Sequence, residues 1–129
     1  MSRASERGAT AVEFAILVPV LVTLLLGIME FSRAYNVQAS LSAAAREGVR
    51  VMAISNNAAT ARTAAENTAV SLQPKLADTN IVFKNLDTGS TVCGTGNRMS
   101  VTITYTLSTL TGIAGPFAMT GTGAMLCGG

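Results

Sequence analysis

Residues 9–29 form an apolar run with a single charged interruption, Glu13, and residues 14–29 carry no charge at all. As a helix rising 1.5 Å per residue, this run is about 30 Å long, the thickness of a bilayer's hydrocarbon core. Beyond it, residues 31–54 contain no Pro and a single Gly, Gly48. Small and apolar residues recur there at Ala34, Val37, Leu41, Ala44, Gly48 and Met52, a spacing that lays them along one helical stripe. Arg46, Glu47 and Arg50 fall off that stripe, with Glu47 and Arg50 placed to pair at i,i+3. The pattern predicts one helix over residues 9–54, around 70 Å long, half in lipid and half outside. The Ser55-Asn56-Asn57 triplet breaks it. Asn57 is suited to cap a second helix over residues 58–72, which must end before Pro74.

After Pro74 the period changes from helical to two. Val101, Ile103, Tyr105 and Leu107 alternate with Thr102, Thr104, Thr106 and Ser108, the mark of a half-buried strand with its hydroxyls facing solvent. Residues 81–86 predict a strand before it. Residues 117–126 predict one after it, weakened by Gly121 and Gly123. Residues 87–98 read as a loop and 110–116 as a connection. Three strands do not stand alone, so their apolar face is expected to pack on the outer part of the long helix. The fold class is α+β: a long N-terminal helix, a short second helix and a small three-stranded sheet.

Charge decides how the first helix is used. The large apolar residues of 14–28 favour insertion by roughly 3–7 kcal/mol together. A carboxylate near one end costs less than the roughly 3 kcal/mol of a charge at mid-membrane. Insertion therefore wins despite Glu13. Arg3 and Arg7 precede the span, so the positive-inside rule places the N-terminus in the cytoplasm of a plasma (inner) membrane protein. The expected organisation is a cytoplasmic leader at 1–8, a transmembrane helix at 9–29 and an extracytoplasmic domain at 30–129. At 129 residues the chain has room for one modest domain.

Composition narrows the chemistry. A dispersed net charge of +2 without basic runs gives no footprint for nucleic acid. His is absent, which removes the commonest general base and metal ligand. No phosphate loop, HExxH or GxSxG motif is present. Asp78 and Asp87 read as isolated, solvated turn residues. No enzyme activity, metal or cofactor is expected. Cys93 and Cys127, without CxxC spacing, make a poor metal site. Outside the cytoplasm they are expected to close a disulfide contributing about 2–4 kcal/mol; the competing reading is two buried free thiols.

The most informative constellation is Gly8 followed five residues later by Glu13, with Arg3 and Arg7 before and an apolar run after. It resembles the type IV pilin-like processing signal. Cutting after Gly8 makes Ala9 the new N-terminus and leaves its amine at the lipid boundary. A carboxylate one turn along, in a poorly solvated place, needs a cation. The longer stretch RGATAVEFAILVPVLVTLLLGIMEFSRA, the later AAAREGVR and the ending VTITYTLSTLTGIAGPFAMTGTGAM are similar to TadE-like pseudopilins of tight-adherence (Flp-type) pilus systems. The resemblance covers both ends of the chain and leaves residues 55–98 generic. Phe14 stands where that family often has an aromatic hydroxyl.

The resemblance implies a minor pilin without enzyme activity, acting by subunit association in surface attachment. Its implied partners are the membrane, a prepilin peptidase acting at Gly8 and Ala9, other pilin or pseudopilin subunits, and the pilus assembly machinery. The implied role of Glu13 is to match the amine of a neighbouring subunit. Three other readings stand beside it. Ser32-Arg33-Ala34 offers a small-x-small site that would release a soluble domain from Tyr35. The helix can also be a plain anchor, with Gly8 only the loop before it. The whole can be a membrane-tethered binding module using its β-face and the Cys93–Cys127 loop. Pro19 reads as a mild kink of a kind membrane helices tolerate. The Ala43-Ala44-Ala45 and Gly48 patch suits either a neighbouring subunit or the protein's own sheet.

Overall fold

The structure, a computed structural model, describes residues 3–113 and 115–128. It divides into two compact units, Met1–Arg33 and Ala34–Gly129. Helix α1 (Arg3–Ser55) supplies all the described residues of the first unit and the opening element of the second. It starts six residues earlier than the apolar pattern alone indicates, so residues 3–8 are helical too. Glu6 sits in the first turn, where it suits the helix dipole, and the Thr10 hydroxyl donates to the Glu6 carbonyl at 2.9 Å. Gly8 costs the helix about 1 kcal/mol relative to Ala, too little to break it.

In the second unit α1 is followed by α2 (Ala58–Thr68), a single 3-10 turn at Asp78–Asn80, and strands β1 (Ile81–Asn85), β2 (Arg98–Leu107) and β3 (Phe117–Leu126). The sheet order is β1-β2-β3, antiparallel throughout. Asn57 caps α2, its side chain accepting from the Thr60 N–H at 3.2 Å. The helix ends at Thr68 rather than 72. The Pro74 ring opposes a helical carbonyl four residues earlier and a helical residue directly before it. The chain instead turns at Ala69, whose N–H bonds the Ala65 and Glu66 carbonyls, and Leu72 still reaches the core.

The core of this unit is where the two periods meet. Met99, Val101, Ile103, Tyr105 and Leu107 of β2 and Ile81 and Phe83 of β1 turn to one side. Against them lie Val37, Leu41, Ala44, Ala45, Val49 and Met52 of α1, with Ala61 and Ala65 of α2. Full burial of a Leu or Ile side chain is worth roughly 1.5–3 kcal/mol, so this stripe is what anchors the sheet to the helix. Thr102, Thr104 and Thr106 are exposed on the other face.

β1 ends one residue before the expected Leu86 because Asn85 is buried and turns the chain. Its Oδ1 accepts from the N–H groups of Asp87 and Thr88, and its Nδ2 donates to the Val92 carbonyl at 2.9 Å. β2 starts at Arg98 because the Leu86 N–H bonds the Arg98 carbonyl, carrying the ladder past Val101.

The small residues have a packing role. A Cβ on Gly121 would lie 2.6 Å from the Leu41 carbonyl oxygen, and one on Gly123 3.0 Å from that of Ala45. A Cβ on Gly48 would meet Ala65 Cβ at 3.2 Å. Gly121 and Gly123 therefore let β3 lie directly on the α1 backbone, and Gly48 lets α2 approach. The pair read as weakening the strand is what seats it. Ala44, Ala45 and Gly48 serve the protein's own sheet and second helix, while Ala43 is exposed.

Candidate membrane segment and processing site

Within the first unit, none of the large side chains of the apolar run is buried. Phe14, Ile16, Leu17, Val20, Leu21, Leu24, Leu25, Ile28 and Met29 are exposed on all sides of the helix. A helix that is hydrophobic all round belongs in lipid or in a core, and no part of its most apolar stretch is covered by the chain itself. Among the described residues this is the one helix long and apolar enough to cross a membrane.

Gly8, Ala9 and Glu13 lie in consecutive turns of the same exposed helix. A Cβ on Gly8 would meet nothing within 4 Å, so a side chain would have room there. The helical neighbours of Glu13 at i±3 and i±4 are Thr10, Ile16, Ala9 and Leu17, none of them basic. Arg7 is six residues away, outside the range of helical side-chain pairing. The helix thus presents a carboxylate among apolar side chains with no cation beside it on its own surface.

Pro19 is inside this helix. It lacks an N–H, so the Ala15 carbonyl loses its usual donor. The Thr23 hydroxyl donates to the Pro19 carbonyl at 2.8 Å.

In the second unit the Arg50 guanidinium holds Glu47 through two hydrogen bonds, of 2.7 and 3.0 Å. That bond keeps the Glu47 carboxyl below its ordinary pKa. Cys93 and Cys127 form a disulfide, their Cα atoms 5.6 Å apart. The Cys93 N–H donates to Asn56 Oδ1 at 2.8 Å, and the Gly128 N–H to the Ala53 carbonyl at 3.2 Å. The loop and the C-terminal strand are therefore tied to the end of α1. Asn56, at φ 49°, was legible only as a helix breaker; its left-handed backbone is one that Asn tolerates.

Asp87 and Asp78 are not the isolated carboxylates the sequence indicated. Asp87 accepts from the Arg98 N–H at 2.7 Å and pairs with its guanidinium at 3.0 Å. Those bonds, the backbone one first, hold its pKa below the usual value. Asp78 lies in hydrogen-bonding reach of Glu66, and that contact raises the Glu66 pKa. Both partners were out of sight in the sequence because a turn and a sheet bring them together. Among the described residues no cluster of three or more His, Cys, Asp or Glu is placed to hold a metal.

No curated protein and no solved structure matches the chain significantly. A family model described as "TadE-like protein" matches residues 8–50. The match opens at Gly8, spans Glu13 and the exposed apolar helix, and closes at Arg50. It associates the chain with tight-adherence pilus proteins and agrees with the exposed span in pointing to membrane anchoring. Over this stretch, from Gly8 to the Glu47–Arg50 pair, the chain is similar to TadE-like proteins.

Proposed function

We propose that this protein is a minor pilin, or pseudopilin, of a tight-adherence pilus system, acting by subunit association rather than catalysis. A prepilin peptidase removes residues 1–8 and leaves Ala9 as the mature N-terminus. Residues 9–29 then hold the protein in the plasma membrane, with residues 30–129 on the extracytoplasmic side. The observation that carries this reading is Glu13. It sits within the family match, on an apolar helix, without a basic residue at pairing distance along that helix.

The physical logic is electrostatic. An ionised carboxylate in a poorly solvated place is costly unless paired. Removal of the leader creates an amine one helical turn away on every copy. The amine of an adjacent subunit supplies the missing cation and sets the axial register between copies. The test is Glu13→Gln in the full chain. The variant should be processed and inserted normally but enter assemblies poorly, read as loss of surface attachment with unchanged membrane content. Wild-type attachment by this variant would remove Glu13 from the mechanism.

A further inference from the structure

Large apolar side chains are also exposed far from the first helix. Between β2 and β3 the chain reads SerThrLeuThrGlyIleAlaGlyPro, and its tip presents Leu110 and Ile113, which are 60% and 87% exposed. Phe117, at the start of β3, is 44% exposed. No Asp, Glu, Lys or Arg occurs anywhere in residues 99–129. The loop is also shaped: Gly112 adopts φ 69°, and its N–H bonds Thr109 Oγ1 at 3.1 Å. Three large apolar residues exposed within eight positions of one connection, in a stretch of sequence without charged residues, are a candidate contact rather than scattered surface hydrophobes.

The direction of packing shows where this tip lies in its unit. Gln38 Nε2 donates to the Thr120 carbonyl at 2.9 Å. Gly121 abuts Leu41, and Gly123 abuts Ala45. The helix and strand numbers rise together, so β3 and α1 run in the same direction. Phe117 and the loop before it are therefore at the Ala34 end of the unit, and Leu107 is paired with Phe117 there. The opposite end carries Cys93 beside Asn56 and Gly128 beside Ala53. Along the chain, Ala34 comes five residues after Met29, the last residue of the apolar run.

We propose that the tip formed by Leu110, Ile113 and Phe117 rests in the interfacial layer of the bilayer that residues 9–29 cross. The inference depends on the membrane reading above. The partner is lipid rather than protein because the tip belongs to the end of the unit that the chain joins to its span. Apolar side chains without charge settle at the headgroup and acyl boundary, and aromatic residues are favoured there. A second attachment point would hold the outer unit against the membrane and limit its rotation about the span before assembly.

The protein has no Trp, so one introduced Trp reports its own surroundings. Ile113→Trp, Val92→Trp and Leu21→Trp are each placed in the full chain. They are reconstituted into phosphatidylcholine–phosphatidylglycerol vesicles with and without brominated acyl chains. Val92, 58% exposed, is on the loop at the opposite end of the unit. The proposal expects the Ile113→Trp emission to shift to the blue, lose intensity to bromolipid and resist aqueous acrylamide, while Val92→Trp stays open to acrylamide. If Leu21→Trp is quenched by bromolipid but Ile113→Trp behaves like Val92→Trp, the proposal fails and the membrane reading stands. Shielding of Ile113→Trp from acrylamide without bromolipid quenching would make the contact a protein one and also overturn the proposal. An unquenched Leu21→Trp would overturn the membrane reading and this inference with it.

Discussion

Gly121→Ala tests the packing of the sheet on the helix most sharply. The new methyl carbon would sit 2.6 Å from the Leu41 carbonyl oxygen and 2.7 Å from its carbon. A close C···O contact is normally about 3.3 Å or more, so strand and helix must separate by roughly 0.7 Å at that point. The obstacle is backbone on both sides, and no rotamer change relieves it. Overpacking of this kind costs about 1–3 kcal/mol. For a domain of this size each kcal/mol lowers the melting temperature by about 4–8 °C. The assay is thermal unfolding in detergent micelles followed by circular dichroism, with the disulfide intact. Gly123→Ala, at 3.0 Å from the Ala45 carbonyl oxygen, should cost less. Thr122→Ala, exposed between the two, should stay within about 0.5 kcal/mol of wild type. A Gly121→Ala protein that melts with wild type would refute the close approach.

Three further outcomes follow from the second unit. Asp87 is held below its ordinary pKa by the Arg98 N–H and guanidinium, so its stabilisation is present above its unfolded pKa of about 3.9 and fades as pH falls through the folded value. Asp87→Asn should therefore flatten the acid limb of the stability profile, and an unchanged limb would contradict the pairing. Glu66 has the opposite sign: Asp78 raises its pKa, so the pair disfavours the fold at neutral pH and is relieved on acidification. Glu66→Gln should raise the neutral-pH melting temperature, and a drop would count against the contact. Loss of the disulfide by Cys93→Ser with Cys127→Ser opens a link across 34 residues, which chain entropy values at about 3–4 kcal/mol. Equal denaturation midpoints for the double variant and the oxidised protein would contradict that figure.

Much of this architecture was legible because its periods are local. The 3.6-residue stripe from Ala34 to Met52 and the alternation from Val101 to Leu107 each encode one buried face, and both are buried as read except for Ala34, which is half-buried. The Asn57 cap and the Glu47–Arg50 pair needed only short-range rules. What escaped depended on contacts between elements. Gly121 and Gly123 looked like a weakness in β3 because nothing in the strand shows that a helix backbone lies against it. Their spacing of two, which puts both on one face, was the available signal. The Glu66–Asp78 contact and the Asp87–Arg98 pair required the turn and the sheet register. Gly8, Ala9 and Glu13 stood out because a charge inside an apolar run is conspicuous in any sequence.

Glu13 is expected to find its counter-charge only once the leader is gone, and the mature N-terminus tests that directly. Protein purified from native envelopes, in the assembled state, should begin at Ala9 by N-terminal sequencing and intact mass. Assembled, attachment-competent protein that still begins with the leader would contradict the account.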